Sequence, residues 1–249
     1  MDRKDWTRIG LIAAVFLVPG GFVLGGALAA RRAGKAMSDA GAKPDGNTAG
    51  PAADQSTLAF YQSNAATYVE ARPDIVSPDL LEFLLRLNPG SHILELGCGS
   101  GHDAAEMERR GFQVDATDGV PAMAAIANER LQAGARVLRF NDLDAADHYD
   151  AVVACASLLH VPSEDLPAVL GRVWNALKPG GWHFASFKTD GQPGWDKHGR
   201  YYNYLNRAGA IEAYEAAGAW ASLSFQHYDG TGYFSEPARW LTVSAQKCP

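Results

Sequence analysis

The segment Glu95-Leu96-Gly97-Cys98-Gly99-Ser100-Gly101 holds the densest set of residues able to do chemistry. Glycines at alternate positions let a backbone turn tightly and let a ligand approach its amides. A dinucleotide loop would need G-x-G-x-x-G, but His102 stands where the third glycine belongs. Glu95 would repel a pyrophosphate. It suits instead a ligand carrying both an ammonium and a sulfonium, as S-adenosyl-L-methionine does. Asp118 can accept hydrogen bonds from both hydroxyls of a ribose. Asp142 can accept one from an adenine amino group, with Leu143 packing on the ring. The bland alternatives are a glycine turn without a ligand and two solvated loop acids. Cys98, Cys155 and Cys248 are too scattered for a disulfide framework or a zinc site.

Those residues need a scaffold, and the apolar periodicity supplies one. His92–Leu96 reads as a strand, followed by the glycine segment and a helix to about Arg110. Phe112–Ala116 is a second strand, and Pro121–Gln132 a helix with proline suited to its first turn. Arg136–Phe140 is a third strand and Tyr149–Ala154 a fourth, almost wholly apolar, as a strand covered on both faces should be. Ser163–Leu177 is a helix that Lys178-Pro179-Gly180-Gly181 stops, and Trp182–Phe187 is a fifth strand. Leu205–Ala217 is helical, and Ser222–Tyr228 with Trp240–Gln246 can form a terminal antiparallel pair. Strands alternating with helices predict an α/β, doubly wound, mostly parallel sheet.

Charge narrows the partners. The chain of 249 residues has a formal net charge of −6. Its first 35 residues carry six bases and two acids (+4), so the rest carries sixteen bases and twenty-six acids (−10). A body that acidic lacks the footprint for a phosphate backbone, which argues against nucleic acid as a partner. Residues 9–30 are uncharged and long enough to span a bilayer, but Pro19-Gly20-Gly21 interrupts them. Three readings compete: a membrane anchor, a cleavable signal peptide ending near Ala27-Leu28-Ala29, and a true start at Met37. Residues 1–35 are thus an apolar N-terminal segment and 36–56 a flexible linker, with one domain over 57–249.

Taken together, ELGCGSGHDA, ATDGVPAM, NDLDAADHYDAVVACASLLHV and ALKPGGWHFASFK resemble a class I S-adenosylmethionine-dependent methyltransferase, over about Tyr61 to Lys188. The stretch ASFKTDGQPGWDKHGRYYNY is similar to small bacterial methyltransferases of the tellurite-resistance type, although Gln192-Pro193-Gly194 stands where that group often has an acid. The resemblance implies a Rossmann-like, three-layer α/β/α fold whose seven-stranded sheet has an antiparallel last strand. It implies S-adenosyl-L-methionine as cofactor, bound by Glu95, Gly97, Cys98, Gly99 and Gly101 on its methionine side. Asp118 would hold the ribose, Val120 and Met123 would flank the adenine, and Asp142 with Leu143 would hold its edge. Cys155 and Ala156 would lie beside the sulfonium, with Tyr61 and Tyr68 closing over the methionine.

Methyl transfer from a sulfonium is an in-line displacement that depends chiefly on alignment. A base is needed only where the acceptor is protonated. His160, after the fourth strand, is the candidate for that role or for orienting the acceptor; capping its loop is the alternative. Lys188 and Arg200 could bind an anionic acceptor, or pair with acids such as Asp190 and Asp196. Tyr201 could line the pocket or pack its loop, as could Tyr202 and Tyr204. His183, inside a strand, is expected to be structural, and Cys98 a small space-filler. The expected function is methylation of a small-molecule acceptor by a catalytic body facing the cytosol, with membrane association through residues 9–30 under the anchor reading. A nicotinamide-dependent oxidoreductase and a membrane-tethered non-catalytic binding protein are the competing functions.

Overall fold

The computed structural model describes residues 51–71, 75–232 and 236–249. The apolar stretch 9–30, the alternative start at Met37 and linker residues 36–50 lie outside them. Among the described residues, no helix is long and apolar enough to cross a membrane.

The first described element is helix α1 (Pro51–Glu70), so the last six residues of the expected linker are helical. Proline at a first helical position sacrifices no hydrogen bond, and the alanines that made 51–56 look like linker are good helix formers. Helix α2 (Pro78–Leu84) and strand β1 (His92–Leu96) follow. Then come α3 (His102–Arg109), β2 (Gln113–Asp118), α4 (Pro121–Arg130) and β3 (Ala135–Val137). The chain continues through β4 (Tyr149–Ala154), α5 (Leu166–Ala176) and β5 (Leu177–Thr189) to a hairpin, β6 (Gly194–Trp195) and β7 (Tyr201–Tyr202). Helix α6 (Arg207–Ala217), β8 (Trp220–Thr231) and β9 (Pro237–Lys247) complete it.

Seven strands form one sheet in the order β3-β2-β1-β4-β5-β9-β8. The pairs from β3 to β5 are parallel, and only β9 is reversed, antiparallel to both β5 and β8. The expected architecture holds. Strand alternation sends side chains to two cores. Leu94, Leu96, Val152, Ala154 and Phe187 pack with Leu170, Val173, Ala210 and Tyr214 of α5 and α6. Ile93, Ala151, Val153 and Phe184 pack on the other face with Leu80, Phe83, Met107 and Ala127 of α2, α3 and α4.

Three boundaries differ from the sequence reading. Strand β3 ends at Val137, and Phe140–Asp142 is a 3-10 turn closed by the Asp142 N–H donating to the Arg139 carbonyl. The Lys178–Gly181 run does not break the chain out of the sheet. It lies within β5 as an irregularity, where β4 residues Tyr149 and Ala151 pair with Leu177 and Trp182. A side chain at Gly181 would meet the Lys178 carbonyl at 2.9 Å, so glycine permits the fold-back. The short β6–β7 hairpin is too brief to have a recognisable period.

Candidate functional site

A cavity of about 500 Å³ opens over the carboxyl ends of β1, β2 and β4, the position at which open α/β sheets take ligands. Its floor begins with the glycine loop. The N–H groups of Gly97 and Cys98 both donate to the Thr117 carbonyl at 2.8 Å, which ties the loop to the end of β2. The glycines serve different purposes. At Gly97, with φ +79°, an added Cβ would lie 2.5 Å from the Ser157 Cβ, so that position is set by close approach of the loop after β4. Gly99, with φ +55°, faces open space on the cavity. Gly101, with φ +73°, packs on Leu131 and Ala127 and does not line the cavity.

Asp118 is fixed by the same loop. One carboxylate oxygen accepts from the Gly99 N–H at 2.9 Å and the other from the Val120 N–H at 2.8 Å. Burial pushes its pKa up to about 6, although both N–H groups favour the anion. Val120, Met123 and Asp142 line the cavity with it, as do Cys155 and Ala156 after β4. Ala156 is held at φ +50°, a left-handed conformation unfavourable to a residue with a Cβ, and its N–H donates to Ser186 Oγ at 2.8 Å.

The opposite wall comes from α1 and the loop after β4. Thr57, Leu58, Tyr61 and Tyr68 lie along one helical stripe and line the cavity. The rings of Tyr61 and Tyr68 meet edge to face at 5.0 Å. Tyr61 Oη lies 3.0 Å from His160 Nε2, and His160 Nδ1 lies 2.5 Å from the Tyr201 carbonyl oxygen. A carbonyl can only accept, so Nδ1 carries the proton. Burial holds the imidazole neutral, its pKa pushed down to about 4.

Of the residues expected at the site, the cavity gathers Tyr61, Tyr68, Gly97, Gly99, Asp118, Val120, Met123, Asp142, Cys155, Ala156 and His160. Four others stand behind it. Glu95 is buried in β1, and its charge joins burial in pushing the Cys98 thiol pKa up. Cys98 is therefore an inert filler. Gly101 caps α3, and Leu143 is turned into the core, where its carbonyl accepts from Arg172. The three residues expected to touch an acceptor do not line the cavity. Arg200 is a buried cation whose Nε and Nη2 both donate to Asp196 Oδ2, at 2.9 and 2.7 Å. Lys188 pairs with Glu236 at 3.1 Å and lies 4.9 Å from the Tyr202 ring centre. Buried cations need such compensation, which accounts for their placement. Tyr201 contributes backbone: its N–H donates to Thr57 Oγ1 at 3.0 Å and its carbonyl receives His160. His183 is buried and donates Nδ1–H to the Val152 carbonyl at 2.8 Å, as a structural histidine should.

Residues that the sequence reading did not single out also line the cavity. Phe140 and Asn141 arrive through the 3-10 turn, and Asp165 and Val169 through α5. Tyr61 and Tyr68 were expected through the resemblance, but neither Thr57 nor the helix that carries all three was read from the sequence. Phe140 and Asn141 depend on where β3 stops.

A family model described as a methyltransferase domain matches residues 68–228. Over 120 residues the chain is 38% identical to the ubiquinone biosynthesis O-methyltransferase of Xanthomonas axonopodis pv. citri, covering 45% of this chain and 49% of that protein. The chain thus spans about half the length of that curated relative. Among solved structures, it superimposes on Burkholderia thailandensis 1,6-didemethyltoxoflavin-N1-methyltransferase with a TM-score of 0.66 at 20% identity. That superposition covers 84% of this chain and 95% of the other. Haemonchus contortus phosphoethanolamine N-methyltransferase 2 superimposes with a TM-score of 0.63 at 17% identity, covering 78% and 61%. At these identities the two structures establish a shared fold.

Proposed function

The chain belongs to the methyltransferase-domain family, and on that premise we propose that it methylates a small-molecule acceptor using S-adenosyl-L-methionine. When bound, that cofactor supplies an electrophilic methyl group on a good leaving group. The residues present fit it. Among the described residues, the charged side chains on the cavity wall are Asp118, Asp142 and Asp165 against Arg139, an excess of negative charge suited to a cationic ligand. The volume falls within the usual range for small-molecule sites, roughly 300–1,000 Å³.

In this reading Asp118 holds the ribose hydroxyls, and its fixation by two backbone amides orients it before the ligand arrives. That is the observation on which the proposal chiefly rests. Gly97 and Gly99 pass beside the methionine portion, Val120 and Met123 flank the base, and Asp142 meets its edge. Cys155 and Ala156 stand beside the sulfur, while Tyr61 and Tyr68 exclude water over the reacting centre. His160 acts at the acceptor side. Glu95 contributes charge from behind the loop.

Thermal unfolding of the full chain with S-adenosyl-L-methionine and, separately, with NADH tests the reading. A ligand that binds only the folded state raises the midpoint. The proposal expects a concentration-dependent rise with the first and none with the second, and the reverse result would favour the oxidoreductase. We also propose residues 9–30 as a membrane anchor that leaves the catalytic body on the cytosolic side, where this cofactor is made. Recovery of the tagged full chain wholly in the soluble fraction would remove the anchor.

A further inference from the structure

The two edges of the sheet are built differently. Strand β3, at one edge, is three residues long and carries Arg136, whose guanidinium pairs with Asp115 at 2.8 Å. Shortness and a charged side chain are common means of keeping a free edge from pairing with another chain. Strand β8, at the other edge, has twelve residues and pairs with β9 from end to end. Among the described residues, no strand pairs with its outer side. It holds no lysine, arginine or proline, and its one acid, Asp229, lies 3.5 Å from Arg239. The register shift in its pairing is confined to Trp220–Ser222. From Ser222 to Asp229 it therefore offers an unblunted edge about 27 Å long.

The order of residues along that edge is nearly palindromic. Outward from Ser224 in either direction comes an apolar residue, Leu223 or Phe225, and then a polar one, Ser222 or Gln226. A second, antiparallel copy centred on Ser224 would set Leu223 against Phe225 twice and Ser222 against Gln226 twice. Such cross-strand neighbours lie about 4.5–5.5 Å apart at Cβ, close enough to pack. Strand alternation keeps the two kinds of pair on opposite faces. Leu223 and Phe225 are partly buried on the face covered by α6, where Arg207 lies over the Phe225 ring at 5.3 Å. Ser222, Ser224 and Gln226 are exposed. Charge raises no barrier in this register. Asp229 falls opposite Ala219, beyond the end of β8, and the two Asp229 carboxylates stand about 34 Å apart.

We propose that β8 docks a second copy of this chain, the two β8 strands pairing antiparallel about Ser224 so that one sheet runs through both copies. The pairing gives the outward N–H and C=O groups of β8 protein partners in place of water. It also covers the exposed parts of Leu223 and Phe225 with apolar neighbours. A foreign strand could use the same edge, but only a two-fold axis calls for an order of residues that reads alike in both directions. The assembly closes at two copies, because each chain uses its one long free edge and β3 is too short and too charged to extend it. Strands β5 and β9 separate β8 from the strands beneath the cavity, so the proposal is independent of the cofactor reading.

Sedimentation velocity on the purified full chain at micromolar concentration tests the pairing, with a species of twice the chain mass expected. Ser224→Lys, at an exposed position, would set two ammonium groups face to face and should leave only monomer. Ser224→Asp should do the same, and an equimolar mixture of the two variants should restore the dimer as a mixed pair. Thermal unfolding of each variant shows that it is folded. Ser224→Cys adds no charge and should give, under mild oxidation, a reducible cross-linked dimer that the parent chain does not form. A monomeric wild type overturns the proposal. So does a dimer that survives both charged variants, since it would be held elsewhere, the apolar stretch 9–30 included. A mixture that stays monomeric, or a Ser224→Cys chain that does not cross-link, rules out pairing about Ser224 and overturns it equally.

Discussion

The glycine-loop wall of the cavity is closed by residues close in sequence, whereas the tyrosine wall joins three distant segments. Asp118 bonds to Gly99, 19 residues back, and to Val120, two residues on. Tyr61 bonds to His160 across 99 residues, and Thr57 to Tyr201 across 144. The first wall follows once β1 and β2 lie side by side. The second forms only after α1, the loop after β4 and the β6–β7 hairpin have packed together. Damage to the first should therefore appear in cofactor binding, and damage to the second in stability and acceptor handling.

The largest expected effect breaks the tyrosine wall. Asp196→Ala leaves Arg200 buried without its acid and should cost about 3–5 kcal/mol of stability by denaturant unfolding. A loss below about 1 kcal/mol would show that Arg200 is compensated elsewhere. Next comes Gly97→Ala, whose methyl would fall 2.5 Å from Ser157 Cβ at a left-handed φ. It should cost about 2–4 kcal/mol. Gly99→Ala faces open space and should cost only about 1–2 kcal/mol of stability, while placing a methyl in the cavity. Equal effects at the two glycines would contradict the division of labour between them.

Asp118→Ala should weaken cofactor binding by about 1.5–3 kcal/mol, the range for losing a charged hydrogen-bond partner. Its pH dependence has a definite sign. The folded pKa, raised from 3.8 to about 6, makes this group's contribution to stability fully present below pH 3.8 and lost as pH rises through about 6. Ribose binding needs the carboxylate, so affinity should move the other way and fall as pH drops through about 6. Calorimetry across that range in wild type, with the Asp118→Ala protein as the flat control, checks it. The smallest effect is Ala156→Gly, which relieves a left-handed alanine at φ +50° and should raise stability by no more than about 1 kcal/mol.

The same contrast accounts for how much the sequence revealed. The strands β1 and β4, the alternation of strands with helices and the acids at 118 and 142 were legible because their spacing is local and repeats with each βα unit. The true end of β3 was not. Val137 is an edge-strand residue whose neighbour Phe140 turns toward the cavity, and Arg-Val-Leu-Arg-Phe reads as uninterrupted strand. Arg200, Lys188 and Tyr201 were plausible acceptor residues by their position after β5. Their burial behind the wall depends on acids and rings brought by the hairpin and by β8–β9, which no spacing announces. His160 lines the cavity, but its contact with Tyr61, which was expected to close over the methionine, had no signal, since nothing local links residue 61 to residue 160.

The central claim is that the carboxylate of Asp118, clamped by the glycine loop, forms part of a cradle for a cationic adenosyl donor. Titrating S-adenosyl-L-methionine into the purified full chain near pH 7.5, in parallel with the Asp118→Ala protein, tests it most directly. The account predicts saturable heat at one site in wild type, and a weakening of about 10- to 150-fold in the variant. Absence of heat with both this ligand and adenosylhomocysteine, from protein that unfolds cooperatively, would contradict it.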